Sequence, residues 1–418
     1  MYQNNEIPKE KAFDQSIQLI KEGYSFIANR RQELNSNIFE SRLLGQKAYC
    51  LAGSEAARLF YDESKFKRAG VAPLPIEKTL FGEGGVQGLD DEAHKHRKAL
   101  FMSLWTEDAL SELRQLTQHH YAKASEKWQE SKSIILYDEV KIVLTRVICE
   151  WTGVPLEEDE VEDRAEQLSE MYEKAGYVGL GHFKGWVARS RAEDWISELV
   201  EAIRNSELQV DEQRPIYKFC WHRDENGELL DVETVAVEIL NLLRPTVANA
   251  VWITFAGLAV HDYPQEVEEV RNGGSQKLLY FCQEIRRFYP FFPFTVAQVR
   301  HHFEWNGCIF EEGTLTLLDL YGTNHHPDEW EDPEVFNPAR FEKTEITPFN
   351  FIPQGGGGYE SGHRCAGEWM TLTIVEESVD LLINQLDYKI PDQDLSYDLS
   401  DIPALPRSKV KMTDIRLR

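Results

Sequence analysis

A chain of 418 residues with 42% hydrophobic side chains has ample apolar surface for a large buried core. Its 45 basic and 71 acidic side chains leave a formal net charge of −26, which repels phosphate backbones and anionic membrane surfaces and so argues against nucleic acid as a partner. The six cysteines, Cys50, Cys149, Cys220, Cys282, Cys308 and Cys365, fall without CxxC spacing, so neither a zinc site nor a disulfide framework is expected.

The opening residues Met1 to Pro8 carry neither a basic nor an apolar leader pattern, and no uninterrupted apolar stretch is long enough to span a bilayer. A cytoplasmic protein without a membrane anchor is expected. An amphipathic helix is predicted from about Lys9 to Leu34, a strand at Ala48 to Ala52, and a helix from about Asp91 to Met102. Helical patterns then dominate from about Glu107 to Arg204, with breaks predicted at Gly153, Gly176, Gly179, Gly181 and Gly185. From Val232 to His261 the chain is apolar enough for a helix crossing the molecule. Arg244-Pro245 lies at its centre, and a proline there removes a backbone donor and predicts a kink. A helix from about Gln276 to Phe288, a Pro-rich segment, a strand at Thr314 to Leu318 and a last helix from about Ala366 to Leu386 complete the chain. No linker, low-complexity tract or repeat divides it, so one large domain over residues 1–418, mainly α with small β-sheets, is expected. The pairs His119-His120, His301-His302 and His325-His326 diverge on a regular element and read as surface or capping residues before metal ligands. The glycines at 82–88 and 355–358 match neither a dinucleotide fingerprint nor a phosphate loop.

The most informative residue is Cys365. It follows Phe349-Asn350-Phe351-Ile352-Pro353-Gln354 and the four glycines Gly355 to Gly358, and it leads into the last helix. Glycines let backbone approach a flat ligand. A helix start, with basic His363 and Arg364 alongside, favours ionised sulfur. Upstream, Glu284-Ile285-Arg286-Arg287 places an acid and a guanidinium three apart on one helical face, and Asn337-Pro338-Ala339-Arg340-Phe341 follows. In this order the elements resemble the Glu-x-x-Arg, Pro-x-Arg-Phe and cysteine-loop motifs of the cytochrome P450 superfamily, and the resemblance extends over essentially the whole chain. It implies that Cys365 supplies a thiolate to the iron of haem b, favouring O–O cleavage, and that Glu284, Arg287 and Arg340 form a buried triad supporting the loop. It further implies that His94 and Lys98, with Arg68 and Arg364, face the haem propionates; a solvated basic helix face is the alternative for each.

The long central helix departs from the superfamily pattern. Most members carry an acid-alcohol pair there, whereas this chain has Asn241-Leu242-Leu243-Arg244-Pro245-Thr246-Val247-Ala248-Asn249. A guanidinium buried on so apolar a face without a partner costs several kcal/mol. It calls for an anion, either a substrate carboxylate held in bidentate fashion or a distant Asp or Glu of the chain. Arg244-Pro245 resembles the fatty-acid peroxygenase branch of the superfamily, as do Lys98 to Leu104 and Arg364 to Trp369. That resemblance implies hydroxylation of long-chain fatty acids at the alpha or beta carbon with hydrogen peroxide. The substrate carboxylate on Arg244 then replaces the missing acid-base group, and no redox partner is needed. In the branch, the position of Gln87 is glutamine in members that mainly hydroxylate and histidine in the best-known decarboxylating member. Phe81 would pack on the fatty-acid chain, or serve only as core packing. Decarboxylation to terminal alkenes, reductase-dependent monooxygenation and non-catalytic haem binding are the competing functions.

Overall fold

The structure is a computed structural model that describes residues 6–11, 13–176 and 180–418. Its larger part is a stack of long helices: Asp91–Met102, Glu107–Glu130, Leu136–Thr152, Val161–Glu173, Leu180–Arg204, Val232–Ala248, Ala250–Asp262, Pro264–Phe288 and Glu368–Asp380. One continuous hydrophobic core runs through these helices, with Trp252, Phe255 and Leu243 wholly buried in it. The central helix Val232–Ala248 begins where the Asp231 side chain accepts the Thr234 amide at 2.6 Å, a cap for an otherwise unsatisfied donor. It packs against Leu136–Thr152, Val161–Glu173 and Leu180–Arg204, which accounts for its apolar character on almost every face. By length and composition, Val232–Asp262 is apolar enough to cross a membrane, but its side chains are spent on this core.

The smaller part is a five-stranded sheet in the order Ile38–Leu43, Gln46–Leu51, Leu315–Asp319, Phe294–Val299, Phe66–Lys67. The pairing of Gln46–Leu51 with Leu315–Asp319 is parallel, with Ala48 opposite Leu315, and the other pairings are antiparallel. Two satellite cores lie on its faces.

The helix Asp91–Met102 has its predicted bounds, and several other expectations are corrected. The first helix starts at Ser16 rather than Lys9, and a 3₁₀ turn at Gly23–Ser25 divides it. Lys9 instead bridges to Glu40, and Glu10 pairs with Arg30 at 2.8 Å. The Glu107 to Arg204 region is interrupted by a strand at Ser133–Ile135, and Gly153 ends its helix in the left-handed conformation, φ 80°. Gly176 follows the helix that ends at Glu173. Gly181 and Gly185 lie inside Leu180–Arg204 rather than breaking it. At Gly185 an added Cβ would sit 3.0 Å from Lys174 Cβ, so this glycine serves close helix packing. Gly179 lies outside the described residues. Pro245 stays within its helix, and the interruption comes one turn later at Asn249. There the backbone amide bonds to Thr246 O at 3.1 Å, and the side chain occupies the Pro245 and Thr246 carbonyls. The helix before Phe288 begins at Pro264 and passes through a non-helical Gly274, and the last helix begins at Glu368.

Candidate functional site

Cys365 lies half-buried in the loop between Pro353 and the helix Glu368–Asp380, where its backbone amide bonds to Gln354 O. Gln354 Nε2 approaches its sulfur at 3.7 Å. Gly355 and Gly357 adopt φ of 88° and 81°, and a Cβ on Gly357 would meet the Tyr61 side chain at 2.9 Å. These glycines are therefore fixed first by the loop's own path. Burial raises the Cys365 thiol pKa and the Glu368 carboxylate raises it further, while the Gly367 amide, Lys98 and Arg286 pull it down. The expected help from the neighbouring basic residues is not realised. His363 faces Asp90, with Nε2 3.5 Å from Oδ1, and stacks on His94 at 3.8 Å. Arg364 gives its Nε to Glu368 Oε2 at 2.6 Å. Glu368 opens the helix, takes its positive end, and binds Arg286 at 2.7 Å as well.

Around this loop Arg68, Lys98 and His94 are buried with no ion pair to an acid among the described residues. Arg68 donates to Phe60 O at 3.2 Å and lies over the Phe60 ring; burial lowers its pKa to about 10. Lys98 reaches the carbonyls of Gly362 and Arg364, and burial lowers it to about 8. His94 is lowered to about 3 by burial and by His363 beside it. A cavity of about 400 Å³ bounded by Tyr61, Arg68, Ser361 and His363 opens next to them. An anion placed among these groups would oppose the lowering that burial imposes on them. The Cys365 sulfur suits haem iron as a ligand, and Arg68, Lys98 and His94 suit its two carboxylates as donors. The other five cysteines are buried, and burial raises each of their thiols.

On the central helix Arg244 is 5% exposed, its Nη1 has no partner among the described residues, and no acid pairs with it there. Burial lowers its pKa to about 9, the nearby Arg189 adds to the shift, and Cys365 opposes it, which places the sulfur within electrostatic reach. The internal salt bridge that the sequence left open is absent among the described residues. Arg189, missed by sequence reading, is 1% exposed and is bound by Glu193 at 2.6 Å and by the carbonyls of Leu80 and Phe81 at 3.4 Å. It ties the 80–88 segment to the helix Leu180–Arg204. Phe81 is half-buried against the main core. Gln87, in the short turn Val86–Gly88, accepts Asn241 Nδ2 through Oε1 at 3.2 Å, one helical turn from Arg244. Pro245, half-buried, has no amide to donate to the carbonyl of Asn241.

Glu284, Arg287 and Arg340 form a second buried cluster. Arg287 binds Glu284 through Nε at 2.7 Å and Nη2 at 2.8 Å, and Arg340 Nε reaches Glu284 Oε1 at 3.1 Å. Both guanidiniums also gather backbone carbonyls, Asn324 and Pro333 for Arg287, Glu331 and Val335 for Arg340. The pair His325-His326 is buried rather than exposed: His325 Nδ1 bonds to Tyr321 O at 3.0 Å and His326 Nε2 to Asn37 at 2.9 Å.

The family model described as Cytochrome P450 matches residues 276–397. Among solved structures, cytochrome P450EX alpha (CYP152N1) with myristic acid is 48% identical, covers 99% of each chain and superposes with a TM-score of 0.95. Cytochrome P450SP alpha (CYP152B1) in complex with (R)-ibuprophen is 42% identical over 97% of this chain and 99% of that one, with a TM-score of 0.94. A variant of cytochrome P450 OleT in complex with arachidonic acid is 33% identical over 99% of both chains, with a TM-score of 0.95.

Proposed function

The chain belongs to the cytochrome P450 superfamily, and within it we propose a haem-thiolate peroxygenase that hydroxylates long-chain fatty acids at the alpha or beta carbon with hydrogen peroxide. The observation that carries this reading is the buried guanidinium of Arg244, which lacks an acid partner among the described residues. Similar proteins of known structure hold myristic and arachidonic acids. Cys365 would ligate haem iron, and His94, Lys98, Arg68 and Arg364 would receive its carboxylates. Once bound, the haem would supply O–O cleavage and oxygen transfer.

The chain's own residues do the rest. Arg244 binds the fatty-acid carboxylate and holds the adjacent carbons in one place, since loose placement loses most of the advantage of proximity. The helix has no acid-alcohol pair, so the bound carboxylate serves as the general acid-base for peroxide. Pro245 leaves the Asn241 carbonyl without its helical donor. Phe81 offers apolar surface to the acyl chain, and Gln87, in place of histidine, favours hydroxylation over loss of carbon dioxide. Fatty acid and peroxide yield hydroxy acid and water, so peroxide provides both the oxygen and the oxidising equivalents and no redox partner is required. A cytoplasmic location is part of the same proposal.

Haem-loaded protein incubated with myristic acid and hydrogen peroxide, with products identified by mass spectrometry, tests this reading. Hydroxymyristic acid is expected. A terminal alkene as main product would instead identify a decarboxylase, turnover only with NAD(P)H and electron donors a monooxygenase, and unchanged fatty acid a non-catalytic haem protein.

A further inference from the structure

Glu238 is wholly buried and takes no part in the reaction proposed above, yet it anchors a chain of hydrogen bonds through Asn241, one helical turn before Arg244. From the helix Asp91–Met102, Arg97 Nη1 donates to Glu238 Oε1 at 2.8 Å. Asn241 Nδ2 donates both to Glu238 Oε2 at 3.0 Å and to Gln87 Oε1 at 3.2 Å. Glu238, Asn241 and Arg244 stand three residues apart in succession along the central helix, on one stripe of its surface.

The order of donors in this chain follows from its charged end. A carboxylate paired with a guanidinium can only accept. Asn241 must therefore present nitrogen to it, and both amide hydrogens of Asn241 are then used. Two consequences reach the site: the buried Oδ1 of Asn241 has no partner among the described residues, and the amide group of Gln87, its oxygen engaged, is left with N–H donors. We infer that Glu238 is a positioning residue that fixes the hydrogen-bonding sense of Asn241 and Gln87, so that Gln87 offers donors and Asn241 an acceptor beside Arg244. A carboxylate on Arg244 then gains a second donor from Gln87. Asn241 Oδ1 takes an O–H, the group that peroxide or water carries and a carboxylate lacks. This function rests on Arg244 being the carboxylate anchor, whereas the order of donors does not.

Reversing the chain tests it. In haem-loaded protein, Asn241→Asp places two acceptors against each other beside Gln87 Oε1, and adding Glu238→Gln restores a donor and inverts the sense of Gln87 without altering net charge. Asn241→Asp alone should lower the unfolding midpoint by about 5 °C or more, and the double variant should recover at least half of that loss. If Asn241→Asp does not fold at all, recovery of folded double variant is the same positive result, and failure of both overturns the inference. Myristic acid titrated calorimetrically into the double variant should bind about tenfold more weakly than to wild type, with myristyl alcohol affected less than threefold. Additive midpoints, or unchanged myristic acid affinity, overturn the inference. A wild type that never turns over fatty acid contradicts the peroxygenase reading alone, because the stability cycle needs no turnover.

Discussion

Replacing Arg244 with leucine should move stability and ligand binding in opposite directions. The side chain is buried, and burial above all lowers its pKa to about 9. A fall of that size from the ordinary guanidinium value, at about 1.36 kcal/mol for each tenfold change in proton affinity, puts the penalty on the charged form at the order of 5 kcal/mol in the ligand-free protein. Leucine removes that penalty but fills less of the space, which returns on the order of 2 kcal/mol. A net stabilisation of about 3 kcal/mol follows. When a carboxylate is present the balance reverses, because a desolvated, hydrogen-bonded charge pair is lost, typically about 3–5 kcal/mol or roughly two to three and a half orders of magnitude in affinity. Differential scanning calorimetry of the haem-loaded variant, without and with myristic acid, reads both effects. The expected result is a higher midpoint than wild type without ligand and little further rise on adding it. A lower ligand-free midpoint together with undiminished myristic acid affinity would refute the reasoning.

The remaining expectations concern the sulfur, the scaffold and acid. Cys365→Ser should abolish the thiolate-type haem absorption while Cys282→Ser retains it, and a thiolate spectrum in the first variant would remove Cys365 from the role of ligand. Glu284→Ala leaves Arg287 and Arg340 buried with carbonyls alone, and denaturant unfolding should show a loss of about 3–5 kcal/mol; a change below about 1 kcal/mol would contradict the cluster's structural weight. His325 is buried beside Arg287, and burial first, then that charge, lowers its pKa from 6.5 to about 3. The unfolded imidazole takes up a proton below 6.5 and the folded one does not. Its contribution is therefore complete above pH 6.5 and is lost as pH falls toward 3, on the order of 3 kcal/mol by pH 4.5. His325→Gln should flatten the fall in unfolding midpoint between pH 6.5 and 4.5, and an unchanged slope would refute this.

Features encoded locally were legible in the sequence. Asp91–Met102 has an acidic first turn and a clear helical period, and Glu284 and Arg287 are three residues apart on one helix, so each could be read from spacing. Arg340 joins them from 56 residues beyond Glu284 and was reached only through its motif. What depends on tertiary contact was hidden. Lys9 to Gln15 looks amphipathic, yet the helix begins only at Ser16, and Glu10 is held instead by Arg30, which also binds Glu22. The glycines of Leu180–Arg204 read as breaks because nothing in the sequence announces the close approach of Val161–Glu173. His363 and Arg364 looked like partners for Cys365 by adjacency, but Asp90 and Glu368 outcompete the sulfur for them. Glu238 was overlooked for the same reason, since its guanidinium partner Arg97 lies 141 residues away. Its spacing of six residues before Arg244 was the available signal.

The claim on which the account turns is that Arg244 receives the acidic head of the substrate. A crystal structure of the haem-loaded protein with myristic acid measures this directly. Both carboxylate oxygens are expected within hydrogen-bond distance of the Arg244 guanidinium, with the alpha and beta carbons facing the haem iron. A carboxylate bound away from Arg244, or an acyl chain entering tail first, would contradict it.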